Sequence, residues 1–172
     1  VFYKIARYIA LYDSDKLKAP FYLKSASMST AFHPLKGTGK MTVQQILKEH
    51  PTGKDYAHLV KGKHYPILVD SKNEILSLVD VINGVSSAVT AKTKNILIDI
   101  TGTDFHACNA SLNILCQDFA DMGGSVKTVE IHYASKKLVT PDSRPEKMVL
   151  RVEKANQLLG TALTPKAVVQ LL

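Results

Sequence analysis

Apolar residues recur with two different spacings along this chain, every second position in some segments and every third or fourth in others. Residues 65–69 (Tyr65-Pro66-Ile67-Leu68-Val69) and 74–78 (Glu74-Ile75-Leu76-Ser77-Leu78) predict two strands. Between them, Asp70-Ser71-Lys72-Asn73 suits a hairpin turn. Residues 95–101 predict a third strand, with Ile96, Ile98 and Ile100 on one face and Leu97, Asp99 and Thr101 on the other. Residues 126–133 predict a fourth, with Val129, Ile131 and Tyr133 on one side. Helical spacing covers 42–49, where Thr42 and Gln45 fit a capping box, Val43, Ile46 and Leu47 form the apolar face, and Pro51 is expected to stop the helix. A further helical turn is expected over 55–61, ended by Gly62.

The longest predicted helix is capped by Thr103 or Asp104 and runs to about Met122. Its expected buried face is Phe105, Cys108, Leu112, Leu115, Cys116 and Phe119, and Gly123-Gly124 ends it. Residues 152–159 and 164–172 predict two short helices, the first closed by Gly160 and the second begun by Thr164 and Pro165, with Val168, Val169 and Leu172 as its apolar face. The first 35 residues show no clear period; Tyr12-Asp13-Ser14-Asp15 is turn-like, and Pro20 and Pro34 are breaks. Residues 136–146, with Pro141 and Pro145, read as a linker. The expected fold class is α+β: a β-rich, mixed, barrel-like core with helices packed outside, plus a short C-terminal helical fragment. Residues 1–142 form one expected domain; residues 143–172 form a linker and the start of a further module.

Composition narrows the class. Hydrophobic residues at 45% and charged residues at 22% are ordinary globular usage and argue against a disordered chain. No apolar run approaches the roughly 20 residues of a membrane span. Nothing at the start resembles a signal peptide. The first residue is Val1 rather than Met, so the chain is expected to be cut from a longer one. Cys108 and Cys116 are eight residues apart on one predicted helix, roughly 12 Å, too far to bridge. They read as small apolar residues of a reduced, cytoplasmic protein.

The net charge is +7, from 22 basic and 15 acidic residues. Between Lys36 and Lys63 six lysines face only Glu49 and Asp55. Such a stretch suits phosphates without reading sequence, and equally suits a merely solvated surface. Only three arginines are present, which disfavours bidentate reading of bases.

Several motifs fail on their own chemistry. Gly37-Thr38-Gly39-Lys40 lacks the first Gly of a phosphate loop, which would fall at Pro34, and the hydroxyl residue that would fall at Met41. Gly84-Val85-Ser86-Ser87-Ala88 lacks the second Gly of a nucleophile elbow. The histidines show no metal-ligand spacing, and no metal is expected. Asp99 and Thr101 say more. A carboxylate inside an apolar strand costs several kcal/mol unless paired or hydrated. Here it can lie at the base of a pocket, with Gly102 and a helix N-terminus next to offer backbone N–H groups to an anion or oxyanion. The plain alternative is a structural pair or cap. Asn83-Gly84 alone suggests a tight turn, and Ser77 alone a strand serine bonded to backbone.

Taken in order, Tyr65 to Ser71, Ile75-Leu76-Ser77-Leu78, Ile82-Asn83-Gly84 and Ile98-Asp99-Ile100-Thr101-Gly102-Thr103-Asp104 resemble the editing domain in the beta subunit of archaeal/eukaryotic-type phenylalanyl-tRNA synthetase. Residues 11–17, Pro20-Phe21 and His33-Pro34-Leu35 are similar to it as well, and 155–165 resembles the opening of the next, winged-helix-like module. The resemblance implies hydrolysis of tyrosine mischarged onto phenylalanine tRNA, a double-sieve proofreading step. It implies catalytic roles for Asp99, Thr101 and Ser77, and substrate binding by Leu68 as pocket wall, Asn83 at the tyrosine hydroxyl, and Gly102. It implies no cofactor for editing, ATP and Mg elsewhere in the full-length ligase, and phenylalanine tRNA as a partner. The other implied partner is the alpha subunit, in a heterotetramer of two alpha and two beta chains, with no membrane involved. One departure stands out: the family commonly has a Pro-Pro pair before Ile-Asn-Gly, and this chain has Val79-Asp80-Val81. A non-catalytic tRNA-binding module or a subunit scaffold is the alternative.

Overall fold

The computed structural model describes residues 6–60, 62, 64–145 and 147–172, and of Ala6 and Arg7 the backbone alone. The opening Val1 to Ile5, Lys61 and Lys63 of the lysine stretch, and Glu146 of the expected linker lie outside the described residues. The fold is α+β. Its strands are β1 (Ala6–Asp13), β2 (Tyr22–Ala26), β3 (Ala31–Phe32), β4 (Met41–Thr42), β5 (Tyr65–Val69), β6 (Ile75–Leu78), β7 (Ile82–Asn83), β8 (Ile96–Gly102), β9 (Val129–His132) and β10 (Lys137–Thr140). Its helices are α1 (Val43–Glu49), α2 (Pro51–Tyr56), α3 (Phe105–Asp121), α4 (Val152–Leu159) and α5 (Pro165–Leu171). The chain divides into two compact units, one ending at Pro141 and one beginning at Asp142.

The first unit is layered. β2, β5, β6 and β7 form an antiparallel sheet in that order, and β1 pairs antiparallel with β8 as a separate ribbon. β3–β4 and β9–β10 are two-stranded, so the described strands lie in separate antiparallel sheets and close no barrel. One face of the four-stranded sheet carries Ile67, Val69, Leu78 and Ile82, which bury against Val43 and Ile46 of α1. On the other side of the sheet, Leu68 and Leu76 pack with Ala10, Tyr12 and Leu97 of the ribbon. Strand alternation therefore turns the Leu97, Asp99 and Thr101 face of β8 inward, beside the register partners Tyr12, Ala10 and Tyr8 of β1.

Local chemistry explains most boundaries. Thr42 and Gln45 form both halves of the capping box on α1. Asp70 accepts from the backbone N–H groups of Lys72 and Glu74, and Asn73 takes a left-handed φ of 61°, which closes the β5–β6 hairpin. Asp104 caps α3 through Ala107 N. In the second unit Gly160 ends α4 with a φ of 65°, and Thr164 with Pro165 begins α5.

Four expectations are corrected. Pro51 does not simply stop a helix; it opens α2 directly after His50, where its missing N–H is not needed, and that segment passes at Tyr56 into a 3₁₀ turn over Ala57–Leu59. The start of the chain, without a clear period, contains β1 and β2, because the turn-like Asp13-Ser14-Asp15 immediately follows a strand whose partner lies some ninety residues away. Part of the expected linker is β10, paired with β9. No residue of α3 is fully buried, and Phe105 is 57% exposed, because the helix packs chiefly on β8 and β1 and leaves its other side open.

Candidate functional site

The six residues singled out in the sequence fall into two groups. Leu68, Ser77 and Asn83 make one row straight across the sheet: Leu68 pairs with Ser77, and Ser77 with Asn83. Ser77 is 1% exposed and Asn83 7%. Asp99, Thr101 and Gly102 lie together at the end of β8. They help line a cleft of about 460 Å³ whose other walls include Phe105, Cys108 and Leu112 of α3, with Ile131, Tyr133 and Leu138 beyond them. That cleft does not reach Leu68, Ser77 or Asn83.

Strand β1 and the β6–β7 turn join the two groups. The Tyr12 hydroxyl donates to Ser77 Oγ at 3.0 Å, and Asn83 Nδ2 donates to the Leu11 carbonyl at 3.2 Å. In the turn, Asp80 accepts the Thr101 hydroxyl. Asp80 holds a left-handed φ of 64°, tolerable for aspartate and closed to a proline, whose ring fixes φ near −65°. The turn carrying Asn83 is thus built on a residue that no proline pair could replace in this conformation.

Asn83-Gly84 is not a tight turn. Asn83 belongs to β7, and Gly84 has an extended backbone at φ −80°. A Cβ at Gly84 would stand 2.9 Å from the Ile75 carbonyl oxygen, so the close approach of the two backbones needs glycine. His33-Pro34-Leu35 runs along the same edge: Leu35 N donates to Asn83 O and Val85 N to His33 O. These two hydrogen bonds hold the Asn83 backbone along one edge, and β6 holds it along the other.

The Asn83 amide has a defined orientation. Leu11 O can only accept, so Nδ2 must point to it and Oδ1 points elsewhere. Among the described residues Asn83 Oδ1 is buried with no hydrogen-bond partner. A buried acceptor left unpaired costs about 1–3 kcal/mol, which a donor brought by a ligand would recover.

The charges are equally one-sided. Burial, and then the negative charge of Asp80, push the Asp99 carboxyl above the ordinary aspartate value. Burial raises the Tyr12 hydroxyl as well, the Ser77 hydrogen bond opposes that rise, and Asp99 adds to it. Tyr8 is raised by burial, then by Tyr56, Asp80 and Asp99. Among the described residues neither Asp80 nor Asp99 has a cationic partner. The site is a half-buried negative pocket edge between two tyrosines, suited to a positively charged group and to polarised water.

Sequence reasoning missed Tyr8, Tyr12 and Asp80. The tyrosines sit in Tyr8-Ile9-Ala10-Leu11-Tyr12, an unbroken apolar run that names no inward face by its period. Nothing local marks Asp80, whose role depends on a partner 21 residues later. No three His, Cys, Asp or Glu side chains among the described residues converge as a metal site, and no described helix is long and apolar enough to cross a membrane.

Comparison with known proteins agrees with the fold and the motif order. Residues 1–114 match the B3/4 domain family. The phenylalanine–tRNA ligase beta subunit of Thermococcus kodakarensis is 36% identical over 166 residues, covering 95% of this chain and 29% of the relative. That of Methanocorpusculum labreanum is 38% identical over 165 residues, with 95% and 30% covered. The crystal structure of an N-terminal fragment of the phenylalanyl-tRNA synthetase beta subunit from Pyrococcus horikoshii superposes with a TM-score of 0.87 at 33% identity, covering 93% of this chain and 47% of that one. The chain spans about three-tenths of the length of the curated relatives it matches. A match over residues 1–114, with relatives this similar along nearly the whole chain, shows that the chain belongs to the B3/4 domain family, in the branch found in phenylalanyl-tRNA synthetase beta subunits.

Proposed function

We propose that this chain is a proofreading module that hydrolyses tyrosine mischarged onto phenylalanine tRNA. The observation that carries the reading is the buried, partnerless Oδ1 of Asn83 in a row with Ser77 and Leu68. Tyrosine and phenylalanine differ by one hydroxyl, and an apolar pocket cannot strongly reject an isostere that merely adds one. An acceptor that stays unsatisfied until a phenol donates to it selects tyrosine instead. Phenylalanine would leave the acceptor stranded, at a cost of about 1–3 kcal/mol.

In this reading Leu68 is the apolar wall, Ser77 fixes the floor through Tyr12, and Asp99 receives the ammonium of the aminoacyl group or orients the attacking water. Because the cleft at Asp99 does not reach Asn83, the phenol meets the Asn83 acceptor only when Tyr12 gives way. The backbone N–H groups around Gly102 hold the ester oxygen, and Thr101, whose hydroxyl donates to Asp80, offers its oxygen lone pairs beside them. The water oxygen bonds to the ester carbonyl carbon, the bond to the terminal ribose oxygen breaks, and the proton lost by water ends on that ribose oxygen. The ester is already activated, so the step is written without a metal or nucleotide. Phenylalanine tRNA is the proposed macromolecular partner, and the alpha subunit of the synthetase the proposed protein partner.

The test is release of tyrosine from phenylalanine tRNA charged with tyrosine. The wild-type protein is expected to exceed buffer clearly, and Asp99→Ala to slow the reaction by about a hundredfold, the scale of losing one positioned catalytic group. A wild-type rate equal to buffer refutes the proposal.

A further inference from the structure

Asp80 lies in the β6–β7 turn, outside every motif that carries the family likeness, yet it touches the reacting end of β8. Its carboxylate accepts the Thr101 hydroxyl. Its backbone reaches that place through a left-handed conformation three residues before Asn83. Two features of one turn are thereby tied together: the amide proposed to read the phenol, and the carboxylate that holds Thr101.

We propose that Asp80 is a positioning residue of this site, one that orients the Thr101 hydroxyl and supplies a second negative charge beside Asp99. The inference rests on the proofreading reading above and deepens it. A threonine hydroxyl has one proton. Donated to Asp80, it leaves only the oxygen lone pairs of Thr101 to face substrate, so Thr101 acts as an acceptor toward water or ammonium. The ester oxygen is then left to the backbone N–H groups around Gly102.

Tyr8 and Tyr12 from β1 and Asp80 from the turn act on Asp99, with Tyr56 of α2 edge-on to Tyr8 at 6.4 Å between ring centroids, and Cys108 of α3 and Tyr133 line the same cleft as Asp99. Among the described side chains none of these groups is basic. Asp80 is therefore the charge whose removal moves Asp99. Both its effects act on the same end of β8, and they separate by substitution: Asp80→Asn keeps an oxygen for Thr101 but removes the charge, whereas Asp80→Ala removes both.

The experiment is the pH dependence of tyrosine release by wild type, Asp80→Asn and Asp80→Ala, with carboxyl NMR titration of Asp99 in the first two and thermal melts to confirm folding. Asp99 must be ionised to act, so the rate falls at acid pH; removing the Asp80 charge lowers the Asp99 titration, and the acid limb moves to lower pH in both variants. On the plateau, Asp80→Ala is expected to lose about tenfold or more in kcat, as expected for removal of a hydrogen bond to a charged group. Asp80→Asn is expected to recover at least half of that loss on a logarithmic scale, with KM little changed in both. Folded variants with an unmoved acid limb and an unmoved Asp99 titration overturn the inference while the activity stands. Equal plateau losses in the two variants overturn the hold on Thr101. A wild-type protein without hydrolysis ends the proofreading reading itself, and Asp80's part in it falls too.

Discussion

Asp13 and Asp99, both on the β1–β8 ribbon, respond to pH in opposite directions. Asp13 accepts from Thr93 at 2.8 Å and pairs with Lys16 at 3.0 Å, and these partners hold its carboxyl below the ordinary 3.8. A depressed folded value contributes stability that is complete above the unfolded value and is lost as pH falls through the folded one. Asp99 has the raised value, so it adds no pH-dependent cost below 3.8, where it is protonated in both states; the cost grows as pH rises from 3.8 to the folded value and is constant above it. Thermal melts of Asp13→Asn are therefore expected to show a Tm deficit at pH 7 that shrinks toward pH 3. Asp99→Asn is expected to gain Tm at pH 7, and the gain should vanish toward pH 3. A gain that persists at pH 3 would show that the Asp99 charge is not what the fold tolerates for function.

At the scale of elements, α1 and α2 meet at one backbone crossing. A Cβ on Gly53 would stand 1.8 Å from the Ile46 carbonyl oxygen, with no flexible side chain to yield. Gly53→Ala is expected to cost on the order of 3 kcal/mol or more in denaturant unfolding, while Thr42→Ala, which removes the capping box, costs about 1 kcal/mol. Equal effects would contradict the crossing. The capping box was legible because Thr42 and Gln45 are three residues apart, and the face of β8 was legible because alternation alone separates Ile98 from Asp99. β1 was not legible as an element, since its hydrogen bonds depend on β8, with Ala10 opposite Asp99. For α3 the period identified an apolar stripe, but the amount buried depends on what covers it, and periodicity carries no such information. Within the site, Asp99 and Thr101 could be found from their unusual strand setting. The role proposed for Asn83 came from motif order, and the hydrogen bond between Thr101 and Asp80 needed the fold.

At the scale of the molecule, three hydrogen bonds join the Asn83 row and its turn to the β1–β8 ribbon that carries Asp99. Lys48 and Lys54 are exposed on α1 and α2, away from these residues in sequence and on the helical side of the sheet. If their charge serves tRNA, the double substitution Lys48→Glu, Lys54→Glu weakens tRNA binding and lowers the salt slope by about one for each phosphate no longer neutralised. The preference for tyrosine should stay as it was, and a titration at several salt concentrations separates the two. Most decisive is the ratio of tyrosine to phenylalanine released from the same tRNA by wild type and by Asn83→Ala. The wild type should favour tyrosine, and Asn83→Ala should lose about tenfold or more of that ratio, the worth of one buried acceptor satisfied by a phenol. Equal release of both amino acids by the wild type, or an unchanged ratio in Asn83→Ala, would contradict the reading of Asn83 as the group that tells the two apart.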